Sequence, residues 1–206
     1  MLTLYDYLRA GHVKRWHIVN TTAQQSIAEH SYLVAIIAMH LHRDVDPMCD
    51  MNDVQETGIY ALFHDAPEIR TGDIPTPAKK LLREIERLTP EPNLGPMEPD
   101  LFERLDIRLM PRCPFTREGE VSDVSIQCVK MADAIEAAHW IRENGAGRHA
   151  EIVTAGCWRR VEDLVHKYTT GGDGEYSMAD WYPPVNKVLQ ALGMPYISRE
   201  ERISPP

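Results

Sequence analysis

No apolar run in this chain approaches the roughly 20 residues that a membrane-crossing helix needs, so no transmembrane segment is expected. The stretch from Met1 to Asp6 has no basic region followed by an apolar one, and no signal peptide is expected. Cysteine is scarce and scattered. Cys49, Cys113, Cys128 and Cys157 form no CxxC pair, which argues against a zinc knuckle or a dithiol redox motif and fits reduced thiols in a cytoplasm. Positive charge is in deficit, with 22 Lys and Arg against 31 Asp and Glu, for a formal net charge of −9. Such a chain is a poor binder of nucleic-acid polymers, whose affinity depends on neutralising phosphates. A small anionic ligand stays open, because a bound cation inverts the local charge logic. Alternating strand patterns and internal repeats are also missing. The glycines Gly171, Gly172 and Gly174 do not form a phosphate loop, since no Lys-Ser/Thr follows them.

What remains is helical spacing over 206 residues, a length that suits one domain with a substantial core. Residues 4–10 read as a short first helix. From Ile27 to His42 a helix puts His30, Val34, Ile37 and Leu41 on one face. Asp53 is expected to N-cap a helix that runs to His64, with Glu56 at the capping-box position. Gly72, Pro75 and Pro77 break the chain, and helix resumes from Lys79 to Leu88. Prolines 90, 92, 96 and 99 mark a loop over 89–100, followed by a helix from Asp100 to Met110. A long buried helix is expected from Ser122 to Asn144, with Ile126, Val129, Asp133, Ala137 and Trp140 in one stripe. Further helices run from Arg148 to Tyr168 and over 178–192, the last interrupted by Pro183 and Pro184. The fold class is all-α, with one domain over 1–206.

The chemistry gathers in three segments. His64-Asp65 opens a ten-residue stretch that also holds Glu68 and Asp73; His30 lies upstream and Asp133 downstream. Two imidazoles and two carboxylates form a ligand set for a borderline divalent cation such as Co²⁺, Mn²⁺, Zn²⁺ or Fe²⁺. A metal held in this way can lower the pKa of bound water and polarise a phosphoryl oxygen. His30 and Asp133 both sit on apolar helical stripes, where a carboxylate is costly unless it meets a metal or an arginine.

Arg15-Trp16, Ala28-Glu29-His30-Ser31, His64-Asp65-Ala66-Pro67-Glu68 and the run from Thr71 through Gly72, Asp73, Ile74, Pro75, Thr76, Pro77 and Ala78 to Lys79 resemble the HD-domain metal phosphohydrolases. More narrowly, they are similar to the 5′-deoxynucleotidase branch, which includes bacterial dNMP phosphatases and related phage enzymes that hydrolyse dATP to deoxyadenosine and triphosphate. The resemblance covers about residues 12–140, and residues 145–206 carry no assigned motif. It implies an HD-domain helical bundle that hydrolyses the 5′-phosphate ester of 2′-deoxynucleotides, either dNTP or dNMP. His30, His64, Asp65 and Asp133 are then the metal ligands, with Mg²⁺ as an additional ion alongside a triphosphate. Glu68 orients or deprotonates the attacking water. Asp73 protonates the leaving oxygen, binds the sugar 3′-hydroxyl, or only stabilises its turn. Arg15 contacts phosphate, and Trp16 stacks on the base or presses on the sugar where a 2′-hydroxyl would sit. Lys79 reaches phosphate, with Lys80 and Arg83 as further cations. The resemblance also implies a homo-oligomer, and the host cytoplasm for a phage-encoded member.

Two other readings compete. One is hydrolysis of a different phosphate ester, of the cyclic-nucleotide or guanosine-tetraphosphate type, but those relatives would lack the Arg15-Trp16 and Thr71-to-Lys79 signatures. The other is a non-catalytic nucleotide-binding module with a structural metal. A structural zinc site, however, is more often closed by cysteines.

Overall fold

The computed structural model describes residues 4–66, 68–75, 77–79, 81, 84, 121–171 and 179–199. Helices α1 (Leu4–Leu8), α2 (Ile27–Val45), α3 (Met51–Phe63), α4 (Glu68–Thr71), α5 (Asp123–Asn144), α6 (Gly147–Thr170) and α7 (Tyr182–Ala191) account for most of these residues. No strand occurs among them, only the isolated bridges Lys14 with Ser26 and Thr21 with Gly145. The all-α expectation therefore holds. Most of the expected helix over 79–88, the proline loop over 89–100 and the helix over 100–110 lie outside the described residues, as do Lys80, Arg83 and Gly172 to Gly174.

Helix α5 is the axis. It packs against α2, α3 and α6, while α7 closes over α2 and α6. Its buried positions Cys128, Met131, Ala132, Ala134, Ile135, Ala138 and Ile141 run around more than one face, as a central helix requires. Val34, Ala38 and Leu41 from α2, Val161 and Val165 from α6, and Val185 and Leu189 from α7 complete the core. No helix among the described residues is long and apolar enough to cross a membrane.

Two local expectations need correction. Asp50, not Asp53, caps α3: its carboxylate accepts from Asn52 N at 2.7 Å and Asp53 N at 3.1 Å. Asp53 is the third helical residue and returns the bond, accepting from Asp50 N at 2.9 Å. Both aspartates suit a cap, and the pair settles as a capping box one turn earlier than expected. Likewise, Pro183 and Pro184 do not interrupt α7 but begin it, at the positions where a missing N–H has no intrahelical partner to lose.

The segment from Val13 to Ile27 matters most for the site. It folds back on itself through Arg15 N to Gln25 O at 2.9 Å and Ile27 N to Val13 O at 3.0 Å. It is also tied to the end of α5, where Thr22 N donates to Asn144 O at 2.8 Å and Ala146 N to Asn20 O at 2.9 Å. Arg15 and Trp16 are thereby held between the first turn of α2 and the last turns of α5.

At the far end of α2, His42 is buried and its Nδ1 meets Thr57 Oγ1 at 2.5 Å. Burial holds its pKa below the usual 6.5, against the pull of Asp46, Asp53 and Glu56. The folded chain keeps this ring neutral where the unfolded chain protonates it. As pH falls below about 6.5 the unfolded state binds more protons and stability drops. Urea unfolding between pH 7 and 5 should show that loss, and His42→Gln should flatten it.

Candidate active site

Helix α2 begins with a capping box. Glu29 N donates to Ser26 Oγ at 3.2 Å, and Ser26 N donates to Glu29 Oε2 at 2.7 Å. The cap fixes the first turn, and His30 follows at once, fully buried. His30 Nδ1–H donates to Glu136 Oε2 at 2.6 Å, which leaves the lone pair on Nε2. His64 is the C-cap of α3, and its Nδ1–H donates to the Ala61 carbonyl at 2.6 Å. Both rings therefore present Nε2 as an acceptor, and both Nε2 atoms are buried without a hydrogen-bond partner.

Two carboxylates face these nitrogens. Asp65 Oδ2 lies 3.4 Å from His30 Nε2 and 3.5 Å from His64 Nε2. Asp133 Oδ1 lies 3.4 Å from His30 Nε2. One ligand atom each from His30, His64 and Asp65 falls within 4.8 Å of the others. Buried polar atoms without partners are costly, and two imidazole acceptors beside two carboxylates repel unless a cation joins them. The donors of His30, His64 and Asp65 thus fit a divalent metal, with Asp133 beside His30 and the Nδ1 bonds orienting both rings.

The charges around it are balanced by partners. Burial works to raise the Asp65 carboxyl, but positive charge at His64 and His30, carried by protons when no cation is bound, holds it below the usual carboxylate range. Asp133 is held low against burial by His30 and Arg160. Arg160 Nη2 sits 2.9 Å from Asp133 Oδ2, so this aspartate meets both an arginine and a ligand-set histidine, one through each oxygen.

Glu68 opens α4, four residues after His64, and is buried. Its Oε1 accepts from Lys79 Nζ at 2.7 Å, while Oε2 is buried without a partner. Burial and then Asp65 push its pKa up to about 8, with Lys79 opposing. A carboxylate so placed can accept and return a proton near neutral pH. Lys79, expected to reach phosphate, is committed to Glu68. Gly72 takes a positive φ of 76° and donates its N–H to Glu68 O at 2.9 Å, a glycine stop for α4. The turn delivers Asp73, whose Oδ2 lies 3.6 Å from His17 Nδ1. Asp73 is close enough to act electrostatically on Glu68 and Arg15.

Arg15 is largely buried, with Nη1 3.5 Å from Glu136 Oε2 and the guanidinium carbon 5.6 Å from the Trp16 ring centre. Trp16 carries a positive φ of 64°, a conformation that costs a non-glycine residue about 1–2 kcal/mol. Its indole stacks on Trp140 at 5.5 Å with planes 6° apart, and Nε1–H donates to Gln25 Oε1 at 2.9 Å. All the expected residues thus converge where the start of α2, the end of α3 and the middle of α5 meet the connecting segments. Glu136, Gln25 and Arg160 were not anticipated. A signal existed for Glu136, which follows Asp133 by three residues on the same helical face. Gln25 and Arg160 carried none, and Trp140 read only as part of an apolar stripe.

A family model described as 5′-deoxynucleotidase YfbR-like matches residues 5–149. The chain belongs to this YfbR-like family. A dATP triphosphohydrolase of Salmonella phage PMBT28 is 34% identical over 172 residues, covering 81% of this chain and 80% of that protein. The 5′-deoxynucleotidase YfbR of an Escherichia coli strain is 30% identical over 151 residues, covering 69% and 72%. Among solved structures, the cyanophage S-2L HD phosphohydrolase DatZ, bound to dA and one catalytic Zn²⁺ ion, superposes with a TM-score of 0.62 at 25% identity, covering 94% and 98%. These relationships agree with the HD-domain resemblance of the motifs and with an enzyme whose ligand set surrounds a divalent ion. The YfbR-like match ends inside α6, so Arg160 lies beyond it.

His64→Ala removes one of the two unpartnered imidazoles. Metal content after gel filtration should fall by more than the ~10–100-fold typical of losing a supporting partner, while helical circular dichroism stays unchanged.

Proposed function

We propose that this YfbR-like HD phosphohydrolase cleaves the 5′-phosphate ester of a 2′-deoxynucleotide, dATP in the first place, releasing deoxyadenosine and triphosphate. The observation that carries the reading is the pair of buried, unpartnered imidazole nitrogens of His30 and His64 facing Asp65 and Asp133, with the open Glu68 oxygen nearby. The phage dATP triphosphohydrolase, at 34% identity over 172 residues, favours the triphosphate over the monophosphate. The family model, described by 5′-deoxynucleotidase activity, favours the second version, in which a dNMP yields orthophosphate.

A divalent cation held by His30, His64, Asp65 and Asp133 supplies positive charge against the charge growing on the phosphoryl oxygens, and it acidifies water. Zn²⁺ leads the candidates because DatZ binds it, with Mn²⁺, Co²⁺ and Fe²⁺ admitted by the same donor set. Glu68 orients the attacking water through Oε2 and takes its proton, and Lys79 steadies the carboxylate from the other oxygen. Water attacks the phosphorus next to the sugar, the bond from that phosphorus to the 5′-oxygen breaks, and the leaving oxygen takes a proton from solvent that Asp73 relays. Arg15 binds phosphate. Trp16, fixed in its strained conformation, presses on the sugar where a ribose would carry its 2′-hydroxyl. The chain acts as one HD domain and, in this reading, as a homo-oligomer. The exposed side chains Tyr32, Leu33 and Ile36 of α2 offer an apolar patch for a second copy, and light scattering should give more than the 23.5 kDa of one chain.

Incubation with each dNTP, dNMP and matching ribonucleotide, in Zn²⁺, Mn²⁺ or Co²⁺, tests the reading by chromatography of products. Triphosphate and deoxyadenosine from dATP are expected. Orthophosphate from dNMPs alone would move the assignment to the monophosphate version, and no turnover with metal bound would sink both. Glu68→Gln should keep the metal and lose about 10²–10⁴-fold in rate.

A further inference from the structure

One buried carboxylate joins His30 of the metal cluster to the Arg15–Trp16 segment. Glu136 is 2% exposed and accepts on both oxygens. Oε2 takes the Nδ1–H of His30 at 2.6 Å and faces Arg15 Nη1 at 3.5 Å. Oε1 takes the side-chain amide of Gln25 at 2.5 Å. Gln25 is itself 2% exposed, and its carbonyl oxygen accepts the Trp16 indole N–H at 2.9 Å.

The polarity of this chain of bonds runs one way. A carboxylate only accepts, an indole only donates, and a glutamine amide offers one group of each kind. If the Gln25 amide turned over, its carbonyl would face the Glu136 carboxylate and its NH₂ would face the indole N–H. Both contacts would be repulsive in a buried place, so the amide is locked. The lock helps hold the indole of Trp16, a residue whose backbone carries a positive φ.

We propose that Glu136 is a positioning residue that couples the metal ligand His30 to Arg15 and, through Gln25, to Trp16, so that metal affinity and discrimination against ribonucleotides depend on one hydrogen-bonded network. Its negative charge makes His30 Nε2 a better donor to a cation. Its second oxygen sets the Gln25 amide and hence the plane of the indole. The role given to Trp16 rests on the deoxynucleotide reading above, whereas the effect on metal binding does not.

The test compares the full-length protein with Glu136→Gln, Gln25→Leu and the double exchange E136Q/Q25E. The first puts an NH₂ where both neighbours donate, so His30, Gln25 and Trp16 cannot all be satisfied. The second cuts only the branch to Trp16. The third restores every donor-to-acceptor contact, with the amide now at position 136 and the carboxylate at position 25. Zn²⁺ affinity is read by competition with a chromophoric chelator, and sugar discrimination as the ratio of kcat/KM for dATP over ATP.

Glu136→Gln should weaken Zn²⁺ by about 10–100-fold and lower the ratio at least about 10-fold. Gln25→Leu should lower the ratio and leave Zn²⁺ affinity near wild type. The double exchange should recover the ratio but not the full Zn²⁺ affinity, a split that a merely structural role would not produce. Wild-type Zn²⁺ affinity and ratio in a folded Glu136→Gln protein would overturn the proposal. An unrecovered ratio in a folded double exchange would do the same. If Glu136→Gln does not fold, Gln25→Leu and the double exchange carry the decision. Should the wild type turn over no deoxynucleotide, the functional reading fails, and the Zn²⁺ affinities alone decide whether Glu136 supports His30.

Discussion

The hydrogen bond from His30 Nδ1 to Glu136 is the contact on which the rest of the site depends. It joins the first turn of α2 to the middle of α5, the two helices that frame the cluster. A neutral imidazole shares one proton between two nitrogens, so committing Nδ1–H to a buried carboxylate decides that Nε2 is the acceptor. The same device recurs at His64 with a backbone carbonyl as partner. Orientation of both rings therefore comes from contacts made before any ligand arrives, and a site held this way loses little entropy when it binds one.

Charge is also arranged around that bond. The chain is acidic overall, yet Arg15, Lys79 and Arg160 meet Glu136, Glu68 and Asp133 at close range. What these pairings leave over is negative character at two imidazole lone pairs and the facing carboxylate oxygens. An acidic chain can in this way serve an anionic substrate, because a divalent cation reverses the sign of the field where phosphate must sit. The carboxylate assigned to proton transfer is kept apart. Glu68 is buried with its charge disfavoured, while Asp65 is held below the usual carboxylate range, so neighbouring carboxyls are pushed in opposite directions by their surroundings.

The helical framework was legible because periodicity and caps are local. The spacing of Val34 and Leu41 and the run from Ser122 to Asn144 identified α2 and α5 closely. Errors arose where two local signals competed, as between Asp50 and Asp53, or where proline could open a helix as well as end one, as at Pro183 and Pro184. His30, His64, Asp65 and Asp133 stood out as candidates because ligand-type side chains occupied helix ends or apolar stripes. Lys79 was expected to reach phosphate from its place in the Thr71-to-Lys79 motif, and only the fold revealed its bond to Glu68. Trp140 looked like packing until Trp16 was found stacked upon it.

By itself, the sequence determined the helical class and the family motifs and nominated the candidate ligands, since these depend on residue type and short-range spacing. Tertiary structure alone decided which nitrogen each histidine presents, that one carboxylate at position 136 serves His30, Arg15 and Gln25 together, and that Trp16 is held in a strained backbone between α2 and α5. Those facts join residues more than a hundred positions apart, such as Gln25 and Glu136, and no local pattern encodes the distance at which two helices pack.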